Sequence, residues 1–368
     1  MFNYLPTETK LDIFKFLSYK ELFSIKQTNL YFRDFIDKYE GELAREKVYT
    51  IHFDHTINQF KKDLHRSYKP KSKNYGFPLS EQLEENVNKL KYAKGFFPFL
   101  KKNGLENPIP MYLPYQNSRN IVSRLSKRVS DITNHRQLQL ETIIKSKEDL
   151  KIVYYYLNKV FNCCYEYGYI DEFVFNPELI ELLFGDNVIS KQLYIRTCYM
   201  AIVENNIQNL ISFALNHLIS ETLIINFLRD RADIKIYKDL LFKILINGDK
   251  FKDVYLRFAK FTENLDCAIN VPMFYDQIVE YIATSKDCSK MVSYILIEYS
   301  NHTSFELSER AEKVEIEQIN DMKYAYHEIS NIYNPSDRYS FFHVEREYGG
   351  FFYAIINIKK VEAEGEYM

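Results

Sequence analysis

The sequence has no tryptophan, and only 10 glycines, 10 prolines and 5 cysteines in 368 residues. So little Gly and Pro excludes a collagen-like chain or a low-complexity linker protein. No uninterrupted apolar run approaches the roughly 18 residues of a membrane-spanning helix, so no transmembrane segment is expected. The opening Met1-Phe2-Asn3-Tyr4-Leu5-Pro6 lacks the basic start and apolar stretch of a secretory signal, and none is expected. Cys163 and Cys164 are adjacent, while Cys198, Cys267 and Cys288 stand far apart. That pattern is neither a disulfide framework nor a zinc spacing. It predicts a reducing, intracellular location, cytoplasm or nucleus. Charge of one sign is also missing: the formal net charge is -2, so there is no global pull toward nucleic acid or an anionic membrane.

Catalytic signatures are scarce as well. The paired glycines Gly349-Gly350 lie in an expected hairpin, and no glycine run leads into Gly-Lys-Ser/Thr, so nucleotide binding is unsupported. His52 and His55 flank Asp54, but in a strand they point to opposite faces and do not converge on a metal. No Cys–His or Ser–His–Asp spacing stands out. No cofactor, metal or catalytic residue is therefore expected. Two basic clusters exist, one of Lys61, Lys62, Arg66, Lys69, Lys71 and Lys73, the other of Arg119, Arg124, Lys127 and Arg128. They read as solvated loops, and no nucleic-acid partner is expected. Glu306, Glu309, Glu312, Glu315 and Glu317 form an acidic stretch. Asn301-His302-Thr303 matches a glycosylation sequon that an intracellular chain leaves unused.

Apolar residues are abundant. They make up 46% of the chain against 27% charged, which excludes a mainly disordered polymer. The 31 Tyr and 28 Phe must build the core together with Ile and Leu, and the buried hydroxyls need partners. The length suggests about two domains.

The first forty residues carry dense helix signals. Thr7 is placed to cap a helix on which Leu11, Phe14 and Leu17 share a stripe, with Ile13 and Phe16 beside it. Ser18 followed three residues on by Glu21 is a capping box, opening a second helix with Leu22, Phe23 and Ile25. Asn29 precedes a third, Leu30 to Ile36. Three helices in so few residues make a weak core alone, and such modules commonly complete it against a partner.

In this segment, Leu5 to about Tyr39, the chain resembles an F-box. The resemblance rests on Leu5-Pro6, Glu8, Ile13-Phe14, Leu17, Leu22-Phe23, Ile25 and Phe32. Where many F-boxes carry a Val-Cys-Lys-Arg-Trp-like string, this chain has Lys26-Gln27-Thr28-Asn29-Leu30-Tyr31-Phe32, without the tryptophan. In its wealth of Phe, Tyr, Ile, Asn and Lys the whole chain is similar to the expanded nematode F-box families. The resemblance implies binding of a Skp-type adaptor, and through it a cullin–RING ubiquitin ligase. It implies that Leu5, Pro6, Ile13, Phe14, Leu17, Leu22, Ile25 and Phe32 form the adaptor-binding set.

Downstream the pattern changes. Val48 to Phe53 alternates as a strand, Lys61 to Lys73 reads as a loop, and Leu79 to Leu90 as a helix. Pro98, Pro108, Pro110 and Pro114 break regular structure around a short strand at Met111 to Leu113, and Asn117 to Arg136 reads as a loop. From Leu150 to Tyr165 an apolar helix is predicted, with Cys163 and Cys164 in its core. Strands follow at Ile170–Phe175, Leu193–Cys198, Glu221–Phe227, Asp253–Phe258 and Met291–Glu298. Helices alternate with them at Glu178–Phe184, Asn206–Leu218, Tyr237–Ile246 and Phe274–Ala283. Recurrence at roughly 20–40 residues resembles an irregular leucine-rich-repeat solenoid, although the Leu-x-x-Leu-x-Leu-x-x-Asn string is absent. Lys313–Ile319, Tyr324–Ile332, Tyr339–Val344 and Phe351–Ile358 then read as strands joined by hairpins.

The expected fold is thus α+β: an F-box-like module at 1–42, a connecting region at 43–147, a repeat-like substrate-binding domain at 148–360 with a C-terminal run of strands, and an acidic tail at 361–368. The expected function is non-catalytic. The chain would be a substrate-recognition subunit of a Skp–cullin–F-box ligase, holding an unidentified target protein. The alternatives are an intracellular enzyme or a non-ligase scaffold in which the N-terminal helices are structural.

Overall fold

A computed structural model describes residues 4–55, 67–68, 109–113, 121–126, 136–138, 140, 142–171, 173–185, 191–202, 207–227, 234–258, 271–301, 304, 306–348 and 351–361. The expected helix at Leu79 to Leu90 and the turn at Gly349-Gly350 lie outside these residues, as does all of the loop at Lys61 to Lys73 except its strand residues Ser67 and Tyr68. In chain order the elements begin with α1 (Thr7–Lys15), α2 (Tyr19–Lys26), α3 (Leu30–Lys38), β1 (Glu46–His55), β2 (Ser67–Tyr68), β3 (Ile109–Pro110), β4 (Tyr112–Leu113), β5 (Ile121–Ser126), β6 (Arg136–Leu138) and β7 (Ile143–Ile144). Next come α4 (Lys147–Phe161), β8 (Cys163–Asp171), β9 (Val174–Phe175), α5 (Pro177–Phe184), β10 (Leu193–Ile202), α6 (Ile207–His217), β11 (Leu218–Phe227), α7 (Ile234–Leu245), β12 (Phe251–Arg257), α8 (Val271–Thr284) and β13 (Tyr294–Asn301). The chain closes with β14 (Glu312–Ile319), β15 (Met322–Ser330), β16 (Arg338–Tyr348) and β17 (Phe351–Lys360). The fold is α+β, with three N-terminal helices and a large mixed sheet. Among the described residues no helix is long and apolar enough to cross a membrane.

The contacts divide the chain into two units. The first holds Met1–Tyr112, Asn117–Tyr167 and Phe175–Ile195, and the second Leu113–Gln116, Gly168–Val174 and Arg196–Met368. In the first unit the strand order is β8-β1-β5-β6-β2, with β1 and β5 antiparallel. Its core is aromatic. Phe175 meets Phe53 edge-on at 4.6 Å between centroids, stacks on Tyr112 at 5.5 Å and lies 6.2 Å from Phe161. Asn176 ties this core together: its amide nitrogen donates to the Pro110 carbonyl at 2.9 Å while its Oδ1 caps α5 through the Glu178 N–H at 3.1 Å. Pro177 occupies the first turn of α5, where its fixed φ suits the helix and no N–H is needed.

Two expectations are corrected in this unit. The segment from Asn117 to Arg136 is not a plain loop, because Ile121–Ser126 forms β5 and Arg136 opens β6. The 150–165 helix stops early: Asn162 is its C-cap and Cys163–Asp171 is a strand. Cys163 and Cys164 therefore lie on β8, Cys163 buried and Cys164 half-buried, neither in a disulfide. The alternation in Cys-Cys-Tyr-Glu-Tyr-Gly-Tyr-Ile-Asp has period two, and aromatic residues favour strands over helix ends.

In the second unit the strand order is β14-β15-β16-β17-β13-β12-β11-β10. β11, β12 and β13 are parallel and joined through α7 and α8. From β13 onward every pairing is antiparallel, through β17, β16, β15 and finally β14 at the edge. One face is dry: Ile295, Ile297, Ile356, Ile358, Phe341 and Ile329 are 0% exposed. Period two in Phe-Lys-Asp-Val-Tyr-Leu-Arg explains this, since Val254 and Leu256 share the dry face and Asp253, Tyr255 and Arg257 the other. The C-terminal run of strands is as expected. The parallel ladder ends at β13 instead of continuing, and no leucine-rich-repeat solenoid is shown.

Candidate functional site

The three-helix module begins with Leu5-Pro6. Pro6 occupies the N-cap position of α1 without a side-chain cap, and its carbonyl accepts from the Lys10 N–H at 3.0 Å. Thr7 is the first helical residue rather than the cap. Glu8 in the first turn and Lys15 in the last complement the helix dipole. Ser18 forms the expected capping box: the Glu21 N–H donates to Ser18 Oγ at 3.4 Å, and the Ser18 N–H donates to Glu21 Oε2 at 2.8 Å. The Ser18 hydroxyl, donating to Glu21 Oε2 at 2.7 Å, and then the Ser18 N–H hold the Glu21 carboxyl below the usual range. Asn29 caps α3, accepting from the Phe32 N–H at 2.9 Å.

The module has its own core. Leu11, Phe14, Leu22, Ile36 and Leu43 are buried together, with Leu17, Ile25, Phe32, Phe35 and Tyr39 packed against them. Phe14 is the hub, 5.4 Å from Phe35 and 6.0 Å from Phe32 between ring centroids. Around the rim Lys26 pairs with Asp37, and Lys15 with Glu42 at 3.3 Å. Both pairs are partly exposed, so they orient the helices more than they stabilise them.

The structure divides the expected adaptor-binding set. Phe14 and Leu22 are buried inside the module, at 2% and 3% exposure. Leu17, Ile25 and Phe32 are half-buried against the same core. Leu5 is half-buried, while Pro6 and Ile13 are exposed. The outward apolar surface is completed by residues outside that set: Tyr4 and Phe16 at 91%, Leu30 at 64%, Phe23 at 50% and Tyr31 at 40%. Lone exposed apolar residues are ordinary. Among the described residues, six of the twelve large exposed apolar side chains fall within residues 4–31. Phe16 was legible only as a flank of the Leu11–Phe14 stripe, which marks the module's own core and not its outer surface.

Charge near the module is modest. In the first unit the Glu40 carboxyl is raised by burial, with Lys191 and Arg45 pulling the other way, and Lys191 is lowered by burial. The Arg45 guanidinium lies over the Tyr194 ring at 3.9 Å and donates to the Phe161 carbonyl. The two Arg45 contacts anchor that side chain within the first unit. Among the described residues no cluster of three or more His, Cys, Asp or Glu is arranged to hold a metal ion. His52 lies on β1 as expected.

A family model described as Domain of unknown function (DUF8381) matches residues 68–228, beginning beyond the three helices. No curated protein and no solved structure matches the chain.

Proposed function

We propose that this chain is the substrate-recognition subunit of a Skp–cullin–F-box ubiquitin ligase, acting inside the cell in cytoplasm or nucleus. The N-terminal helices are an F-box that docks a Skp-type adaptor. The helix–strand units of the second unit are the repeat-like scaffold on which the target protein is held. No bond is made or broken by this chain; its contribution is to raise the effective concentration of target beside a ubiquitin-charged enzyme.

One observation carries the reading. A small module with capped helices and its own aromatic core turns Tyr4, Ile13, Phe16, Phe23, Leu30 and Tyr31 outward. Each apolar side chain moved from water into an interface contributes roughly 1.5–3 kcal/mol, so a few of them suffice for an adaptor contact. The test is recovery of the tagged full chain from cells, beside a Leu5→Ala/Pro6→Ala variant, probed for adaptor and cullin. Both partners with wild type and neither with the variant is the expected result. Adaptor without cullin would replace the ligase role with a non-ligase scaffold. Neither partner from well-folded protein would return the helices to a structural role.

A further inference from the structure

The edge strand β14 is the most exposed regular element of the described chain. All eight of its residues, Glu312–Ile319, are exposed. Three are large and apolar: Val314 at 46%, Ile316 at 59% and Ile319 at 46%. It pairs with β15 on one side and ends the strand order on the other, so its outer backbone N–H and C=O groups have no strand partner among the described residues. Natural sheets blunt such edges with bulges, lysines or prolines. Here the device guards only one end. A bulge lies between Glu312 and Glu315, with Lys313 at φ 51°, and the register from Glu315 to Ile319 is regular.

The two faces of that regular stretch differ. Ile316 stands opposite Ala325, which stands opposite His343, which stands opposite Ile356. The last three are buried, at 5%, 4% and 0%. A row of the dry face thus runs out at an exposed isoleucine. Glu315 and Glu317 point to the other face, beside Tyr326 and Tyr324, and Ile319 follows them on that face at the end of the strand.

We infer that β14 is a docking edge for an extended segment of a partner protein in which apolar and basic residues alternate. Such a segment would add one antiparallel or parallel strand, its main chain bonding the free edge. Its apolar side chains would continue the Ile316 row, and its lysines or arginines would meet Glu315 and Glu317. Charge selects this occupant over a second copy of the chain. Symmetric antiparallel pairing of two β14 edges keeps residues of equal parity on one face, because opposed side chains share a face. It would gather both copies' Glu315 and Glu317 on one side, where like charges destabilise the pairing. The inference does not depend on the F-box reading.

The test uses the full chain and a labelled hexapeptide alternating Lys and Val, with a Glu–Val hexapeptide as control. Binding is followed by anisotropy and by amide hydrogen exchange. The expected result is slowed exchange at residues 315–319 with the Lys–Val peptide only. Affinity should fall about tenfold in Glu315→Lys/Glu317→Lys, and the variant should instead accept the Glu–Val peptide. Both replaced residues are exposed, so the variant keeps its fold, as near-ultraviolet circular dichroism will show. Unchanged exchange in β14, or binding indifferent to charge reversal, would overturn the assignment. Protection of β14 that rises with protein concentration in the absence of peptide, with a dimer in sedimentation, would replace it by self-pairing.

Discussion

The hydroxyl of Tyr275 on α8 lies 3.1 Å from Nε2 of His327 on β15, and both residues are buried. His327 stacks between Phe341, at 4.8 Å, and His343, at 5.1 Å, on the dry face of the second unit. Burial lowers His327 to about 4; burial, then the neighbouring His327 and Lys323, lowers His343 to about 3. Tyr275 and Tyr299 are themselves raised by burial and stay neutral, while Glu345, 5% exposed, lies on the same face of β16 as His343.

The sign of the pH dependence follows. Both histidines are neutral in the fold and protonate near 6.5 when unfolded, so acid favours the unfolded chain. Stability of the second unit is full above about pH 6.5. It should fall as the pH drops toward 4, by up to about 1.4 kcal/mol per pH unit for each histidine. Thermal melts between pH 7.5 and 4.5 measure the slope, and His343→Phe should flatten it. An identical slope in that variant would remove His343 from the explanation.

Phe14 and Phe16 make a matched pair. Phe14 is the hub of the module core, and Phe14→Ala should cost about 3–5 kcal/mol, loosening all three helices. Phe16 is 91% exposed, and Phe16→Ala should change stability by no more than about 0.5 kcal/mol while weakening adaptor capture. Ile13→Asp belongs with Phe16: at 40% exposure its charge stays solvated, so the module folds and only docking suffers. Hydrogen exchange across residues 7–38, alongside adaptor capture, separates the two kinds of loss.

Helix capping should be locally measurable. Ser18→Ala removes the oxygen that accepts from the Glu21 N–H, and should cost α2 about 1 kcal/mol. Exchange of the amides of Glu21 and Leu22 should speed up accordingly, while the β11 amides keep their rates. Equal acceleration in both places would mean that the module and the sheet unfold as one.

Asn331 closes the C-terminal end of α8. Its buried amide nitrogen donates to the carbonyls of Ile282 at 2.7 Å and Ser285 at 2.8 Å, and its Oδ1 accepts from the Tyr333 and Asn334 N–H groups. Asn331→Ala leaves four groups without this partner and should destabilise the second unit by at least about 2 kcal/mol. Urea titration followed by near-ultraviolet circular dichroism would show it, and a loss under about 0.5 kcal/mol would mean that water replaces the amide fully.

Much of this architecture is legible in the residues. Ser18 with Glu21, Asn29 and Asn176-Pro177 mark helix starts by hydrogen-bond chemistry that is local and therefore visible. Period-two runs such as Phe251–Arg257 reveal strands with one covered face. Misreadings occur where the signal is not local. Ile121–Ser126 is a strand because β1 pairs with it, although its neighbours are basic. Cys163 and Cys164 follow the helix so directly that their apolar character carries its stripe past Asn162, the residue at which the helix ends. At the candidate site, stripes identify Phe14 and Leu22 as apolar but do not say that the module buries them itself. Phe16, Phe23 and Leu30 become visible as surface only once three helices close on Phe14.

The proposed role stands or falls with adaptor binding by the N-terminal module. Its most direct test is a calorimetric titration of purified Skp-type adaptor into the purified full chain, repeated with Leu5→Ala/Pro6→Ala. Wild-type chain should show saturable one-to-one binding with a negative heat-capacity change, the mark of apolar burial, and the variant should lose it. Absence of any binding by wild-type chain whose fold is intact, or equal binding by the variant, would contradict it.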